Sequence, residues 1–460
     1  MVGESMKRLA LDFLQEWYKK PSRKPLVIRG ARQVGKTWLV RHFAEGQNLQ
    51  LLELNFEKNP ELAAHFFSND PSQVLLLVGA SLNKTIDPKT ALLFLDEIQA
   101  YPPLLAKLRW FAEEMPELAV IATGSLLEFT LEDHTFSMPV GRISYMHLEP
   151  LSFEEYLLAQ GLTPLLEYVR GYEFKQTFSQ VIHNTLMTHL KEYILVGGMP
   201  AAVSAWVERR TLAEVYEIHN DLLGTYRDDF NKYHGRMPIQ RLDEVFESVP
   251  KQLGKRFVYS NVNPDEGTQS IKKAFHLLSL ARVCHRIKSS SANGVPLGAE
   301  VNDKFFKAIF IDVGLSSTLL GLQLNQIIGV DEIVLVNNGA MAEQVVGQLL
   351  RTVFPAYVEP QLFYWQREKK GSDAEVDYVI QHHTSVIPIE VKAGTSGGLK
   401  SLHLFMGLRE YPLAVRINSD IPSIGRMVVI NSLGKSVEYT LLSIPIYLLS
   451  RLHYLLDSIK

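Results

Sequence analysis

The sequence predicts an α/β chain of several domains, and three observations lead to this fold class. With 460 residues, the chain is too long for one hydrophobic core, so two to four domains are expected. Apolar, strand-like runs alternate with helix-like segments up to about residue 150, as a parallel α/β sheet requires. Mainly helical segments follow, and a second group of strand-like runs begins after residue 338.

A glycine-rich turn connects the first predicted strand to the next helix. The run PLVIRGARQVGKT, residues 25–37, contains the pattern GxxxxGK[ST] between an apolar strand and a helix start. Backbone N–H groups at such a helix start face nucleotide phosphates. Lys36 would reach the β- and γ-phosphates, and the Thr37 hydroxyl would complete the shell of a bound Mg²⁺. This P-loop predicts ATP or GTP binding by Gly30, Ala31, Arg32, Gln33, Val34, Gly35, Lys36 and Thr37.

Two later strands end in the polar groups that a nucleotide site needs. ALLFLDE, residues 91–97, is typical of a central parallel strand and ends in two acids. Asp96 would hold Mg²⁺, and Glu97 would polarise the attacking water. LAVIATGS, residues 118–125, ends in polar groups that could sense the γ-phosphate. An ordinary glycine turn would explain the first motif alone, but three such strand ends in this order favour a nucleotide site.

The composition, the cysteine content and the lengths of the apolar runs indicate the general class of this protein. A content of 46% hydrophobic and 21% charged residues is that of an ordinary globular protein. Cys284, the single cysteine, cannot form an internal disulfide, and no Cys/His cluster has zinc-site spacing, so we expect a reducing cytoplasm. The N-terminus lacks the apolar core of a signal peptide, and no apolar run is long enough to cross a bilayer, so no membrane partner is expected.

The middle of the chain predicts a helical lid and connector over residues 151–235 and a winged helix over residues 236–300. The second segment reads as two helices and the start of a β wing. Eight Lys and Arg residues stand against two Asp and Glu residues between Lys251 and Ser290, although the net charge of the chain is −3. Such a bias suits contact with DNA phosphates, so DNA is a candidate partner. A helical linker with a solvated basic face, or a protein-docking module, would fit equally.

Residues 301–460 carry a second set of candidate catalytic residues. Asp377 lies in one predicted strand, and Glu390 and Lys392 lie two residues apart in the next, so these two face the same way. The two acids could bind a divalent metal, Lys392 could activate a water that attacks a phosphodiester, and Glu343 could join from a helix. An exposed Glu/Lys face would give the same pattern, but SVIPIEVK is largely apolar, so these charges need a reason.

The ordered motifs resemble a known prokaryotic family over nearly the whole chain. GARQVGKT, LLFLDEIQ, ATGS, PVGRISYMHLEPLSFEEYL, YILVGGMPAAV and EVDYV…IPIEVKAG occur in one order. The chain is similar to AAA-superfamily ATPases fused to a C-terminal domain of unknown function with a PD-(D/E)XK nuclease-like fold. The resemblance implies an AAA-type core over residues 1–150, the lid, the winged helix and a nuclease-like end.

Site residues follow from this resemblance by position. It makes the glycine-rich loop the phosphate loop, Asp96 and Glu97 the metal and water acids, and Ser125 the sensor. Arg142, in VGRISY, becomes a candidate for stabilising transition-state charge, although it could equally form a salt bridge; action on a second copy would require an oligomer. The nuclease-like motif has Val376 where proline is usual, which removes no ligand.

Two functions of different classes follow. The first is an ATPase, with ATP and Mg²⁺, that couples nucleotide state to a DNA-binding and nuclease-like C-terminal half. The alternative is a non-catalytic, nucleotide-dependent switch or scaffold whose nuclease-like half only docks a partner. Glu97 favours hydrolysis over simple binding, and the intact set of Asp377, Glu390 and Lys392 favours metal chemistry.

Overall fold

A computed structural model describes residues 6–125, 127–128, 141–233, 237–322, 338–367, 374–394 and 398–459. Its first sheet has five parallel strands in the order β2-β3-β4-β1-β5. These are β1 (Leu26–Arg29), β2 (Gln50–Asn55), β3 (Ala91–Asp96), β4 (Ala119–Thr123) and β5 (Ser144–His147). The predicted parallel sheet is confirmed.

Helices cover both faces of this sheet because its central strands β3 and β4 are apolar up to their last residues, Asp96 and Thr123. Every residue of β3 and β4 is buried, as expected for a strand that is covered on both sides. The flanking helices are α1 (Ala10–Lys19), α2 (Lys36–Gly46), α3 (Pro71–Leu82) and α4 (Leu104–Glu114). The segment Pro60–Phe66 forms a 3-10 helix.

Five helices follow the first sheet, where the sequence predicts a helical lid. They are α5 (Phe153–Ala159), α6 (Thr163–Arg170), α7 (Gln180–Val196), α8 (Pro200–Arg209) and α9 (Leu212–Asp229). A capping box fixes the start of α5, since Ser152 accepts from the backbone of Glu155 and Glu155 accepts from the backbone of Ser152. The predicted boundary between residues 235 and 236 lies outside the described residues.

The segment predicted as a winged helix consists of two helices and a hairpin. The helices are α10 (Ile239–Lys251) and α11 (Thr268–Leu280), and the hairpin strands are β6 (Cys284–Ser290) and β7 (Val301–Phe310). β6 also pairs in parallel with β8 (Leu362–Gln366), so the hairpin belongs to the second sheet. The domain boundary predicted at residue 300 therefore separates β6 from β7, the two strands of one hairpin.

The second sheet has eight strands in the order β12-β13-β11-β10-β9-β8-β6-β7. Its remaining strands are β9 (Glu375–His382), β10 (Ser385–Val391), β11 (Leu413–Asn418), β12 (Ser423–Ile430) and β13 (Ser436–Pro445). The C-terminal helices are α12 (Val313–Leu319), α13 (Asn338–Thr352), α14 (Lys400–Arg409) and α15 (Leu452–Asp457). β9 and β10 pair antiparallel, which brings the residues of the predicted second site onto neighbouring strands.

One continuous core connects the two sheets. It contains Ile28 of β1, Leu223 of α9, Phe275 of α11 and Tyr378 of β9, all buried. The other face of the first sheet packs on α3 and α4 in a separate core, and α14 covers the second sheet in a third. In the described part of the chain, no helix combines the length and apolar character needed to cross a bilayer.

Candidate functional site

The P-loop lies between the carboxyl end of β1 and the start of α2. Gly35 has φ +93°, a left-handed conformation that favours glycine. At Gly30, a Cβ atom would lie 2.5 Å from the carbonyl oxygen of Leu148, so only glycine fits without a shift. The two glycines of the motif are therefore required by the local backbone and its close packing.

Lys36 points into the loop. Its Nζ donates to the carbonyl oxygens of Gly30 and Ala31 at 2.9 and 2.7 Å. Burial, with a smaller effect of the charge of Arg282, lowers the pKa of Lys36 to about 8, whereas Glu97, Glu128 and Asp96 oppose the shift. Burial disfavours the charged form of Lys36, and a bound phosphate would favour that form by placing negative charge beside the ammonium group.

Asp96, at the end of β3, is the centre of a hydrogen-bond cluster. Its carboxylate accepts from the Asn55 amide at 3.1 Å and from the hydroxyl of Thr123, and the Thr37 hydroxyl lies 3.3 Å from it. Burial raises the pKa of Asp96, although these hydrogen bonds oppose the rise. The oxygens of Thr37 and Asp96 are ligands that Mg²⁺ prefers, so the residues fit the ion that the P-loop implies.

Glu97 and Ser125 are also brought together. Glu97 follows β3 directly and has φ 52°, a left-handed backbone conformation. Its Oε2 accepts from the Ser125 hydroxyl at 3.3 Å and from the Gln99 amide. Two strand ends thus converge on one point beside Asp96, as the sequence predicts from the order of its motifs.

Arg142 lies away from this cluster. β5 pairs with β1 from Leu26 opposite Ser144 to Arg29 opposite His147, and the P-loop follows Arg29. Because Arg142 precedes β5, it lies at the opposite edge of the sheet, where its Nε donates to Glu113 at 2.7 Å. The expectation that Arg142 serves as a cation in the nucleotide site of its own chain is therefore corrected. Arg142 forms a half-exposed surface salt bridge, which is the alternative that its sequence context left open.

Arg282 is a buried cation that no sequence motif indicates. It follows α11 and reaches the carboxyl edge of the first sheet, where it donates to Glu128 at 2.8 Å and to His147 Nδ1 at 3.0 Å. It also pairs with Glu359, at 3.0 Å, from the C-terminal half. Burial and the charge of Arg282 lower the pKa of His147 to about 4, consistent with an unprotonated Nδ1 that accepts this bond.

Two further arginines bind the P-loop to its surroundings. Arg8 donates to the carbonyl oxygen of Val34 at 2.9 Å and pairs with Glu155 of α5 at 2.9 Å. Arg32, in the loop itself, pairs with Asp229 at the end of α9 at 2.6 Å. Helices α5 and α9 are therefore connected by ion pairs to the loop that would hold the phosphates.

The second predicted site also assembles across neighbouring elements. Glu343 comes from α13, Asp377 from β9, and Glu390 from β10, while Lys392 follows β10 and donates to Glu390 at 2.8 Å. Burial, with the charge of Asp377, raises the pKa of both Glu343 and Glu390 to about 7, against the opposing effects of Lys307 and Lys392 respectively. Glu390 Oε2 is buried and accepts no hydrogen bond among the described residues.

Lys307 of β7 occupies the space among these acids. Its side chain is 1% exposed, and its Nζ pairs with Glu343, with Glu375 at 2.8 Å and with Asp377 at 3.6 Å. In the described part of the chain, Glu343, Asp377 and Glu390 do not approach to within 4.8 Å of one another as a set. The ammonium group of Lys307 therefore balances the negative charge of this cluster, where the sequence predicts only a divalent metal. No motif in the sequence indicates this role of Lys307.

Three segments match family models. Residues 22–157 match the AAA domain, residues 187–326 match a domain of unknown function (DUF8612), and residues 338–435 match a domain of unknown function (DUF4143). The AAA match includes the P-loop, Asp96, Glu97 and Ser125. No curated protein gave a match.

The solved structures that match this chain include a Walker-type ATPase and an ORC1 protein. The Walker-type ATPase PABY2304 of Pyrococcus abyssi is 13% identical, covers 68% of this chain and 96% of its own, and has a TM-score of 0.44. The Aeropyrum pernix ORC1 protein in complex with DNA is 12% identical, covers 68% and 91%, and has a TM-score of 0.29. Scores this low carry no argument for function, and the domain match stands on its own: residues 22–157 of this chain match the AAA domain.

Proposed function

We propose that this protein hydrolyses ATP at the P-loop and uses the nucleotide state to control its C-terminal half. The observation that carries the proposal is the cluster around Asp96, in which the ends of three strands and the start of α2 meet beside Lys36. Binding of ATP without hydrolysis would require only the P-loop and Lys36. Glu97 and Ser125, held beside them, supply the groups that a hydrolytic step requires.

Each residue has a defined task in this proposal. A bound Mg²⁺ would neutralise charge on the phosphate oxygens. Thr37 and Asp96 supply its protein ligands, and Lys36 exchanges its two carbonyl partners for phosphate oxygens. Glu97 orients a water towards the γ-phosphate and accepts its proton, while the Ser125 hydroxyl holds the Glu97 carboxylate in place.

The network around Arg282 supports coupling between the two halves. Glu128, which accepts from Arg282, lies only three residues along the chain from Ser125, so a change at the γ-phosphate would be passed on to Arg282. Arg282 in turn contacts Glu359 of the C-terminal half. Glu149 extends the network to Arg351 of α13, at 2.7 Å. Glu128, Arg282, Glu149 and Arg351 thus form a contiguous path of ion pairs to α13, which also carries Glu343, since Arg282 lies 3.7 Å from Glu149.

For the C-terminal half, we propose a nuclease-like fold whose acid cluster is held by Lys307. Glu343, Asp377, Glu390 and Lys392 support the resemblance to PD-(D/E)XK enzymes. The pairing of Lys307 with Glu343 and Asp377 favours the docking alternative over cleavage, because the ammonium group takes the charge-balancing place of a metal ion.

Lys36→Ala tests the nucleotide site. Because the variant removes a charge-assisted contact to the phosphates, the affinity for Mg·ATP should fall roughly 10- to 100-fold. Calorimetric titration of the full-length chain measures it. Arg41→Ala, which removes an exposed cation from the same helix, is the matched control and should bind like the wild type; unchanged affinity in Lys36→Ala would exclude phosphate binding in this loop.

We further propose that the basic face of α11 binds DNA phosphates. Lys272 and Lys273 are exposed on this helix, whereas Arg282 is buried and unavailable. Lys272→Glu with Lys273→Glu should weaken binding of duplex DNA and flatten its salt dependence by about one unit of slope for each phosphate that is no longer neutralised. Fluorescence anisotropy with full-length protein measures both. Wild-type protein that binds no DNA at low salt would leave α11 as a protein-docking or solvated face.

A further inference from the structure

A cluster of histidines lies where the β9–β10 turn meets the C-terminal helix, away from both sites described above. His382 ends β9 and His383 occupies the turn, while His453 and Asp457 are one helical turn apart on α15. Residues at i and i+4 of a helix share one face, so His453 and Asp457 both face the turn.

The turn places both neighbouring imidazoles on the same side. Consecutive residues of a strand point to opposite faces, but His383 has φ 52°, and this left-handed conformation brings its ring centroid to 4.3 Å from that of His382. The Gln381 amide donates to the His383 carbonyl at 3.0 Å and supports the turn.

Three ligand atoms converge at this point. His382 Nε2 and His383 Nε2 lie 3.1 and 3.0 Å from the same carboxylate oxygen, Asp457 Oδ1. All three atoms lie within 4.8 Å of one another. Two ligands of a tetrahedral zinc ion at ~2.0 Å are about 3.3 Å apart, so little movement is needed to share one ion.

The fourth residue provides the outer contact that metal-bound histidines usually have. His382 Nδ1 lies 2.8 Å from His453 Nδ1, so one of these nitrogens donates to the other. If Nε2 of His382 binds a metal, Nδ1 of His382 carries the proton and donates a hydrogen bond to Nδ1 of His453. This bond fixes the tautomer and the ring orientation of His382.

We propose that His382, His383 and Asp457 form a mononuclear site for a transition-metal ion of the Zn²⁺ class, with His453 as the positioning residue. Two imidazoles and one carboxylate suit Zn²⁺ and its neighbours rather than Mg²⁺ or Ca²⁺, which prefer oxygen ligands throughout. The side chains of His383 and Asp457 are 60% and 48% exposed, so the ion can enter and keep a solvent ligand. It would fasten α15 to the β9–β10 turn.

Zinc titration of the full-length, chelator-treated protein tests this site. With excess Mg²⁺ present to occupy oxygen-rich sites, calorimetry should show one equivalent of Zn²⁺ bound by the wild type and a melting temperature that rises with Zn²⁺. His383→Ala, chosen because this residue is exposed, should lower the affinity at least ~10-fold and abolish the thermal shift. Asp457→Asn should also weaken binding.

The matched control is His189→Ala, which removes a histidine paired with one carboxylate, Glu192, on α7. It should bind Zn²⁺ like the wild type. Absence of Zn²⁺ binding by the wild type would overturn the proposal and leave a His–Asp ion pair. Equal affinity in the wild type and His383→Ala, or an equal loss in His189→Ala, would also overturn it.

Discussion

Glu97→Gln should lose ATP turnover by roughly 10²- to 10⁴-fold while binding Mg·ATP with nearly unchanged affinity. The amide keeps the shape of the side chain and a hydrogen bond to Ser125, but it cannot accept a proton from the attacking water. Phosphate release under saturating ATP measures the first quantity, and calorimetric titration measures the second. A large loss of affinity would instead assign Glu97 to nucleotide binding.

Arg142→Ala is the matched comparison for this experiment. Its side chain lies at the opposite edge of the sheet and, among the described residues, pairs only with Glu113, at half-exposed positions. Such a solvent-screened surface pair contributes little to stability, so turnover and thermal stability should both stay close to the wild type. A loss of turnover in Arg142→Ala without a loss of binding would place this arginine in a site shared between two copies of the chain.

Lys307→Met should destabilise the protein by about 3–5 kcal/mol at neutral pH, because it leaves buried carboxylates without their cation. The effect should depend on pH. The pKa of Glu343 and of Glu390 is already raised to about 7, above the ordinary value near 4.5. A carboxyl whose pKa is higher in the folded state contributes stability that is fully present below about pH 4.5 and is lost as the pH rises through about 7.

Removing Lys307 should raise the pKa of Glu343 further, because the charge of Lys307 opposes that rise in the wild type. The loss of stability should therefore be larger at pH 8 than at pH 5, as urea denaturation at the two pH values would measure. Lys304→Met, on the exposed part of the same strand, should show no such dependence. If Lys307→Met lost the same free energy at both pH values, the effect would be one of packing, and the ion pairs with Glu343 and Asp377 would contribute little.

The nucleotide site was predictable because its signals are local. The P-loop motif occupies residues 30–37, and β3 and β4 are continuous apolar runs that end in the polar residues of the site. The carboxyl ends of parallel strands meet at one edge, so the order of motifs already predicts that Asp96 and Ser125 converge. By contrast, β5 is short and mostly half-buried, so no apolar run marks it.

The remaining features depend on contacts between distant parts of the chain. Arg282 meets Glu128 across 154 residues, and Lys307 meets Glu343 across 36. The histidine cluster escapes any search for zinc-site spacing, because 74 residues separate His383 from Asp457. Arg142 shows the converse. Its sequence context is that of a family motif, but the register of β5 against β1 places it at the edge of the sheet opposite the P-loop.

Hydrolysis of ATP at the P-loop site is tested most directly by the rate of phosphate release from Mg·ATP by the purified full-length protein, measured beside Glu97→Gln. We expect turnover that requires Mg²⁺ in the wild type and is lost in Glu97→Gln while ATP remains bound. Turnover that is equal in the two proteins, or ATP bound by the wild type without any phosphate release, would contradict hydrolysis at this site.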